Sequence, residues 1–423
     1  MTPARSHTIP GCGMFELLLL VTFAGLLTAS RRPLGFGNPF QIYFFVWFSL
    51  LLGYYLSRDS FISMSVEFVL LILTAKLLAL LIMILCCRGL QGRGPEIRRH
   101  GVIARKTRFI DLAQLVAIIA LPLVYARATE IAGGESVFTV LGYIQLRAAM
   151  TEDGEGYGIL AYLWVLSFVT TSVSIFLYRQ SNLGFGRLWL SVAVSLCYCY
   201  LSTGRTYILF FLCLALVPLM NVGAIRMRGL LITLIIFIAL SVFVAGMTAK
   251  GISADDGIVE NVESFLESMK GYTIAPLLAF SRLVEWNPDL SWGENTFRLL
   301  ISIQYALGIS TLAPVALMKG YAFVPDPTNV YTVYEVYFRD FSYLGVLIPP
   351  VFLIVHYWLY RRARARGGVW IFYYSASVYP LVMQFFQDQY FSLLSTWIQV
   401  WFWYWLLTTP HRFSWKKGGL GHA

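Results

Sequence analysis

Apolar stretches, each roughly long enough to cross a hydrocarbon core, alternate with short polar segments along almost the whole chain. Crossing as a helix takes about 20 apolar residues, fewer where the ends are aromatic or carry snorkelling side chains. Eleven stretches meet that requirement, at approximately 14–29, 40–56, 61–86, 109–126, 158–178, 188–203, 206–220, 229–247, 343–360, 369–386 and 391–408. The pattern predicts an all-α fold, a polytopic transmembrane helical bundle of about eleven spans. Two connections are enlarged, at 127–157 and 248–342. The organisation expected is therefore 1–247 with spans one to eight, 248–342 as one large outer loop, and 343–423 with the last three spans and a tail.

Charge sets the orientation. The segments 30–39, 88–108, 179–187, 221–228, 361–368 and 409–423 hold 20 of the 32 Lys and Arg residues and a single acid, Glu96, which assigns them to the cytoplasmic side. The alternating set carries the carboxylates, including "TEDGE" at 151–155 and "ADDGIVENVESFLE" at 254–267, and faces outward. The run "LLISIQYALGISTLAPVALM" at 299–318 is long enough to cross, but counting it would throw "RRARAR" at 361–366 to the outer side. It is expected instead as a re-entrant or interfacial helix, after a helix at 258–270 and another near 272–284.

Composition agrees and narrows the class. A chain of 423 residues that is 58% hydrophobic and only 13% charged is too apolar for a water-soluble domain. Its mean hydropathy is +0.68. The net charge of +10 would suit a nucleic-acid partner, but the cations sit between apolar runs in the pattern of membrane orientation, so no nucleic-acid binding is expected. The cysteines lie in or beside apolar runs and the five histidines are scattered, so neither a disulfide framework nor a metal site emerges. The first run lacks a credible cleavage site and its Arg31–Arg32 pair follows rather than precedes it, as expected of a retained span.

Candidate chemistry lies on the outer side. In "YLSTGRTYILFF" (200–211) Arg205 stands between two apolar runs at a short turn. An arginine there either snorkels to the surface or faces the bundle interior and holds an anion, with Thr203, Thr206 and Tyr207 as neighbouring donors. Other outer cations are Arg147, Lys250, Lys270, Arg282, Arg298 and Arg339. Several guanidinium groups suit a pyrophosphate, because their planar donors meet its oxygens in pairs. Arg147 and Arg282 are each followed, after ten intervening residues, by a glycine, Gly158 and Gly293. The stretch "PDPTNVYTVYEVYFRDFSYLG" (325–345) interleaves Asp326, Glu335, Arg339 and Asp340 with Tyr331, Tyr334 and Tyr337. Interfacial partition accounts for part of that tyrosine content; acceptors among aromatic rings also suit a sugar, whose hydroxyls need partners and whose C–H face packs on rings. Trp286 and Trp292 could extend such a platform. No P-loop, GxGxxG, GxSxG or DxD pattern occurs, which weakens a metal-dependent enzyme using nucleotide sugars.

In "LGYIQLRAAMTEDGEGYG" (141–158), "STGRTYILFF" (202–211) and "PTNVYTVYEVYFRDFSYLG" (327–345), taken in that order across a body of about eleven spans, the chain resembles the Wzy-type O-antigen polymerases. The paired Arg-x10-Gly spacings, one per enlarged loop, are similar to a feature of that family. The resemblance implies an inner-membrane glycosyltransferase with its active site toward the periplasm. It joins oligosaccharide repeat units carried on undecaprenyl pyrophosphate, donor and acceptor both being lipid-linked, with no nucleotide sugar, cofactor or obligatory metal. A chain-length regulator protein is an admissible partner beside the lipid bilayer. On that footing Arg205, Glu335 and Asp326 are the expected catalytic residues, the carboxylates as bases. Arg147, Arg282, Arg339, Tyr207, Tyr331, Tyr334 and Tyr337 are expected to bind substrate. A flippase or other transporter for lipid-linked oligosaccharide and an O-antigen ligase are the competing readings.

Overall fold

Apolar runs in such a chain become helices because a helix satisfies its own backbone donors and acceptors where no water is available. A computed structural model describes residues 12–34, 37–88, 107–151, 155–221, 258–316 and 319–408. Among them the fold is all-helical apart from one two-stranded hairpin. The elements up to residue 221 are α1 (Cys12–Leu34), α2 (Pro39–Leu56), α3 (Val66–Arg88), α4 (Thr107–Ile131), α5 (Val140–Thr151), α6 (Tyr162–Arg179), α7 (Phe185–Leu201) and α8 (Arg205–Asn221). There follow α9 (Ile258–Trp286), α10 (Arg298–Ala306), the antiparallel strands β1 (Ala322–Phe323) and β2 (Pro327–Thr328), α11 (Glu335–Phe341), α12 (Ile348–Arg366), α13 (Val369–Met383) and α14 (Leu394–Thr408).

Five helical stretches among the described residues are long and apolar enough to cross a membrane: Pro39–Leu56, Val66–Arg88, Arg108–Ile131, Gly158–Arg179 and Glu335–Arg366. Shorter apolar helices occupy Glu16–Ser30, Phe185–Leu201, Arg205–Asn221 and Val369–Met383. The protein is thus a multi-span helical membrane protein. The expected span at 229–247 lies outside the described residues.

The helices form two groups that share α13. One joins α1, α2, α3, α9 and α12; the other joins α4, α6, α7, α8 and α14; α13 packs on α12 and α2 on one side and on α8 and α14 on the other. Within the second group α6 is buried almost all round. Its hydroxyls bind α7: Ser167 Oγ lies 2.8 Å from Ser195 Oγ, and Thr171 Oγ1 donates to the Ser191 carbonyl at 2.9 Å. Small hydroxylated residues let helices approach closely and bond where the hydrophobic effect gives little drive between them. Leu70, Leu77, Leu81 and Leu85 of α3 form an exposed apolar stripe, as a lipid-facing surface requires.

Two local expectations are corrected. The helices expected at 258–270 and 272–284 are one continuous α9 of 29 residues, which carries Gly271 and Pro276 within it. Burial of Ile274, Leu277, Leu278 and Phe280 against the bundle outweighs both helix-weakening residues. The helix expected over 299–318 stops at Ala306, beyond which Gly308 takes a φ of +68° and the chain runs without regular structure to 316. In the α7–α8 turn the left-handed residue is Thr203, at φ +50°, and Gly204 is not among the positive-φ glycines. Gly204 instead leaves room for Tyr207, whose ring would lie 3.0 Å from an added Cβ.

Candidate functional site

Two polar groups stand out among the sequence-derived candidates. The first is built at the α7–α8 turn. Ser202 Oγ caps α7 by donating to the Cys199 carbonyl at 2.7 Å, and Thr203 turns the chain so that α8 begins at Arg205. The short helix α5 lies against this turn. Tyr143 stacks on Tyr200 with ring centroids 4.9 Å apart, and Tyr157 Oη donates to the Leu201 carbonyl at 2.5 Å. Arg147, one turn beyond Tyr143, donates from Nη1 to the Thr203 carbonyl at 2.7 Å. Arg205 lies over the ring of Tyr272 from α9, 5.1 Å from its centroid, close enough to Arg147 for the two charges to repel. The positive end of α8 begins at the same residue, and a helix N-terminus favours an anion. Tyr207, the third residue of α8, is 40% exposed.

The second group gathers around α11. Glu335 and Arg339, one turn apart, form an ion pair in which the glutamate is buried. Arg339 also lies 5.6 Å from the Tyr331 ring centroid, and Tyr331 Oη donates to the Gly320 carbonyl at 3.0 Å. Asp340, fully buried, accepts from Asn295 N at 3.1 Å, Asn295 Nδ2 at 2.9 Å and Thr296 N at 2.6 Å. Lys319 donates to Asn295 Oδ1 at 2.6 Å. Arg298 Nε donates to the Val315 carbonyl at 2.7 Å. Burial pulls the Lys319 amine below the ordinary lysine range; Glu335 and Asp340 oppose that pull, and Arg339 and Arg298 add to it. The group thus mixes three cations with two carboxylates and an amide.

The other candidates lie apart from these groups or inside the fold. Arg282 is exposed and bound to Glu285 at 2.7 Å. Asp326 is exposed in the hairpin turn, where its carbonyl accepts from Val324 N at 3.1 Å. Tyr334 and Tyr337 are fully buried rather than on an open face. Tyr334 Oη bonds Tyr43 Oη at 3.0 Å and Tyr337 Oη donates to Asp388 Oδ1 at 2.8 Å. Trp286 and Trp292 are 71% and 79% exposed. The two glycines of the Arg-x10-Gly spacings share a backbone reason: Gly158 has φ +54° and Gly293 φ +97°, where L residues are strained.

Helix α9 relates the two groups. Tyr272 meets Arg205, and Phe280, eight residues on and about 12 Å along the axis at helical rise, stacks on Tyr334 and packs against Phe338. Tyr272, Lys319 and Asn295 were not among the sequence candidates. Tyr272 joins Arg205 from 67 positions away, which no local pattern shows. Lys319 was readable as a cation closing an apolar stretch, directly after the helix expected over 299–318, but it was not among the outer cations singled out. Among the described residues no cluster of three metal-ligating side chains occurs.

Comparison with known proteins gives one partial likeness to report. A protein named "Putative O-antigen polymerase" from Escherichia coli (strain K12) is 27% identical to this chain over 135 residues, covering 30% of this chain. The match spans 32% of that relative, about a third of its length. No family model matches the chain. No solved structure matches it either.

Proposed function

We propose that the protein polymerises oligosaccharide repeat units carried on undecaprenyl pyrophosphate into a surface polysaccharide such as O-antigen or capsule, at the periplasmic face of the inner membrane. The observation that carries this reading is that Arg147 is bonded to the Thr203 carbonyl, two residues before Arg205 opens α8, so that both guanidinium groups belong to one turn. Two like charges held together at a helix N-terminus are relieved by a multivalent anion, and a diphosphate offers oxygens in the pairs that guanidinium groups prefer. The partial likeness to the E. coli protein points to the same class. About eleven spans, the outward orientation of both groups, and a lipid-linked donor and acceptor belong to this proposal.

In the reaction a hydroxyl of the acceptor's terminal sugar attacks the anomeric carbon of the growing chain. The new C–O bond forms as the bond from the anomeric carbon to phosphate oxygen breaks, and undecaprenyl pyrophosphate leaves with the electron pair. Arg205 and Arg147 stabilise the charge that builds on the leaving group, the largest expected catalytic contribution. The hydroxyl proton passes to a carboxylate, Glu335 first and Asp326 second. Arg339, Tyr331 and Tyr207 contact the sugars or phosphate. The roles of Tyr334 and Tyr337 are indirect, through the segment they anchor, and Arg282 acts only at the outer rim.

Surface glycan from a deletion strain, resolved on a gel, tests the reading. A polymerase defect gives lipid A core bearing one repeat unit. Bare core would instead mean a ligase, and absence of surface units with precursor retained inside would mean a flippase; either would overturn the proposal.

A further inference from the structure

Lys76 stands halfway along α3, buried, and none of the chemistry above uses it. Its amino group donates to Tyr43 Oη at 2.6 Å and to Tyr334 Oη at 3.0 Å. It lies 3.8 Å from the ring centroid of Trp47 and 4.2 Å from that of Tyr43, with the rings of Phe23 and Tyr334 at 5.3 and 5.4 Å. No carboxylate pairs with it among the ion pairs of the described residues. Aromatic faces are what an ammonium group meets in place of water or an anion.

Stability does not account for an amine at that position. Burying it in an apolar interior is costly, and replacing buried charged groups by apolar side chains of similar volume is often neutral or stabilising. Without the amine, the Tyr43 and Tyr334 hydroxyls still have each other at 3.0 Å.

The cage does join the elements that place the second polar group. Phe23 comes from α1, Tyr43 and Trp47 from α2, Lys76 from α3, and Tyr334 immediately precedes Glu335. Trp47 Nε1 donates to Gln384 Oε1 at 2.7 Å, and the Gln384 carbonyl accepts from Val333 N at 2.9 Å, so the residue before Tyr334 is tied to the same cluster. Phe280 of α9 stacks on Tyr334 with ring centroids 5.8 Å apart.

We infer that Lys76 is a positioning residue, whose amino group holds Tyr334 and thereby sets the Glu335 carboxylate and the Arg339 guanidinium that follow it. The inference rests on the reading of that segment as the sugar-binding part of a polymerase. It separates fold from function, because the amine is expected to add nothing to the stability of the core while fixing the segment that follows Tyr334.

The test compares full-length wild type, Lys76→Met, Tyr334→Phe and the double variant in lipid nanodiscs. Lys76→Met is expected to melt at or above the wild-type temperature. In polymerisation of lipid-linked repeat units its kcat falls on the order of ten- to a hundredfold, as small misplacements of reacting groups do, with KM little changed. Amide exchange in residues 331–341 speeds up, and the double variant is no worse than the more impaired single, because both act through one contact. A lower melting temperature accompanying the loss of activity would reduce Lys76 to a packing role, and an unchanged kcat would remove its role in turnover; both overturn the inference. If wild type itself fails to polymerise, the functional reading falls, while the exchange measurement still decides whether Lys76 holds the segment: unchanged exchange in Lys76→Met overturns it.

Discussion

The turn between α7 and α8 and the segment around α11 both present arginines, yet they treat charge in opposite ways. At the turn Arg147 and Arg205 repel each other. Arg147 bonds the Thr203 carbonyl there and Arg205 lies over the Tyr272 ring, whereas around α11 the cations face carboxylates: Arg339 pairs with Glu335, and Lys319, bonded to Asn295, feels both Glu335 and Asp340. A group with excess positive charge suits an anion; a group with balanced charge and several acceptors suits hydroxyls or holds its own segment in place. The difference teaches that arginines counted together along a sequence divide by their partners into separate tasks.

The sharpest way to exploit that difference is to remove one arginine from each group. Arg205→Ala is expected to lower polymerisation on the order of a hundredfold to a thousandfold, the range for losing one preorganised donor to a developing anion, while the protein keeps its melting temperature. Arg205→Lys restores part of that loss, because an ammonium keeps the charge without the paired donors. In cells, wild-type polymer length with Arg205→Ala would dissociate the turn from the chemistry.

Arg339→Ala should act on stability first. It leaves Glu335 buried without its cation, a change that costs about 3–5 kcal/mol in comparable settings. Thermal melts of Arg339→Ala and of Arg339→Met with Glu335→Gln distinguish the cases, since the paired change restores most of the stability if the ion pair is the cause. Equal melting temperatures for Arg339→Ala and wild type would contradict the assignment of Glu335 and Arg339 as a buried pair.

Smaller effects follow from the glycines and from Lys319. Gly158→Ala forces a left-handed alanine at a cost of about 1–2 kcal/mol, and Gly293→Ala costs more, because its Cβ would also meet Phe297 at 2.8 Å. Melting temperatures of the two variants should fall in that order. Burial lowers the folded-state pKa of Lys319 beneath its unfolded value near 10.5, so the unfolded chain holds more protons between the two values. Stability from this residue therefore rises as pH climbs through that alkaline window and levels off above it. Lys319→Met should remove the rise, as alkaline unfolding curves can show.

Much of the fold could be read from the chain because lipid imposes one rule on all of it: apolar runs must be helical. That rule located α1 to α4, α6 to α8 and α12 to α14 to within a few residues at most ends. It failed where burial against protein rather than lipid decided the outcome, as in α9, which runs through Gly271 and Pro276. Arg205 was legible as a lone cation between apolar runs. Lys76, in "LILTAKLLALL", carries the same signal inside a run but was not among the candidates. The meeting of Arg147, Arg205 and Tyr272 was beyond reach, since it depends on how α5, α8 and α9 pack. Tyr334 and Tyr337 illustrate the opposite limit: carboxylates interleaved with tyrosines suggested an open face, but α11 turns both rings inward.

The account rests on Arg147 and Arg205 jointly holding a lipid-borne diphosphate, and equilibrium binding of undecaprenyl pyrophosphate to the purified full-length protein tests that most directly. Affinity should fall at least about tenfold in Arg147→Ala and in Arg205→Ala, as expected when a charge-assisted contact is lost, and stay unchanged in Arg282→Ala, whose side chain is already bound to Glu285. Equal affinity in wild type and Arg205→Ala, or a loss as large in Arg282→Ala, would contradict it.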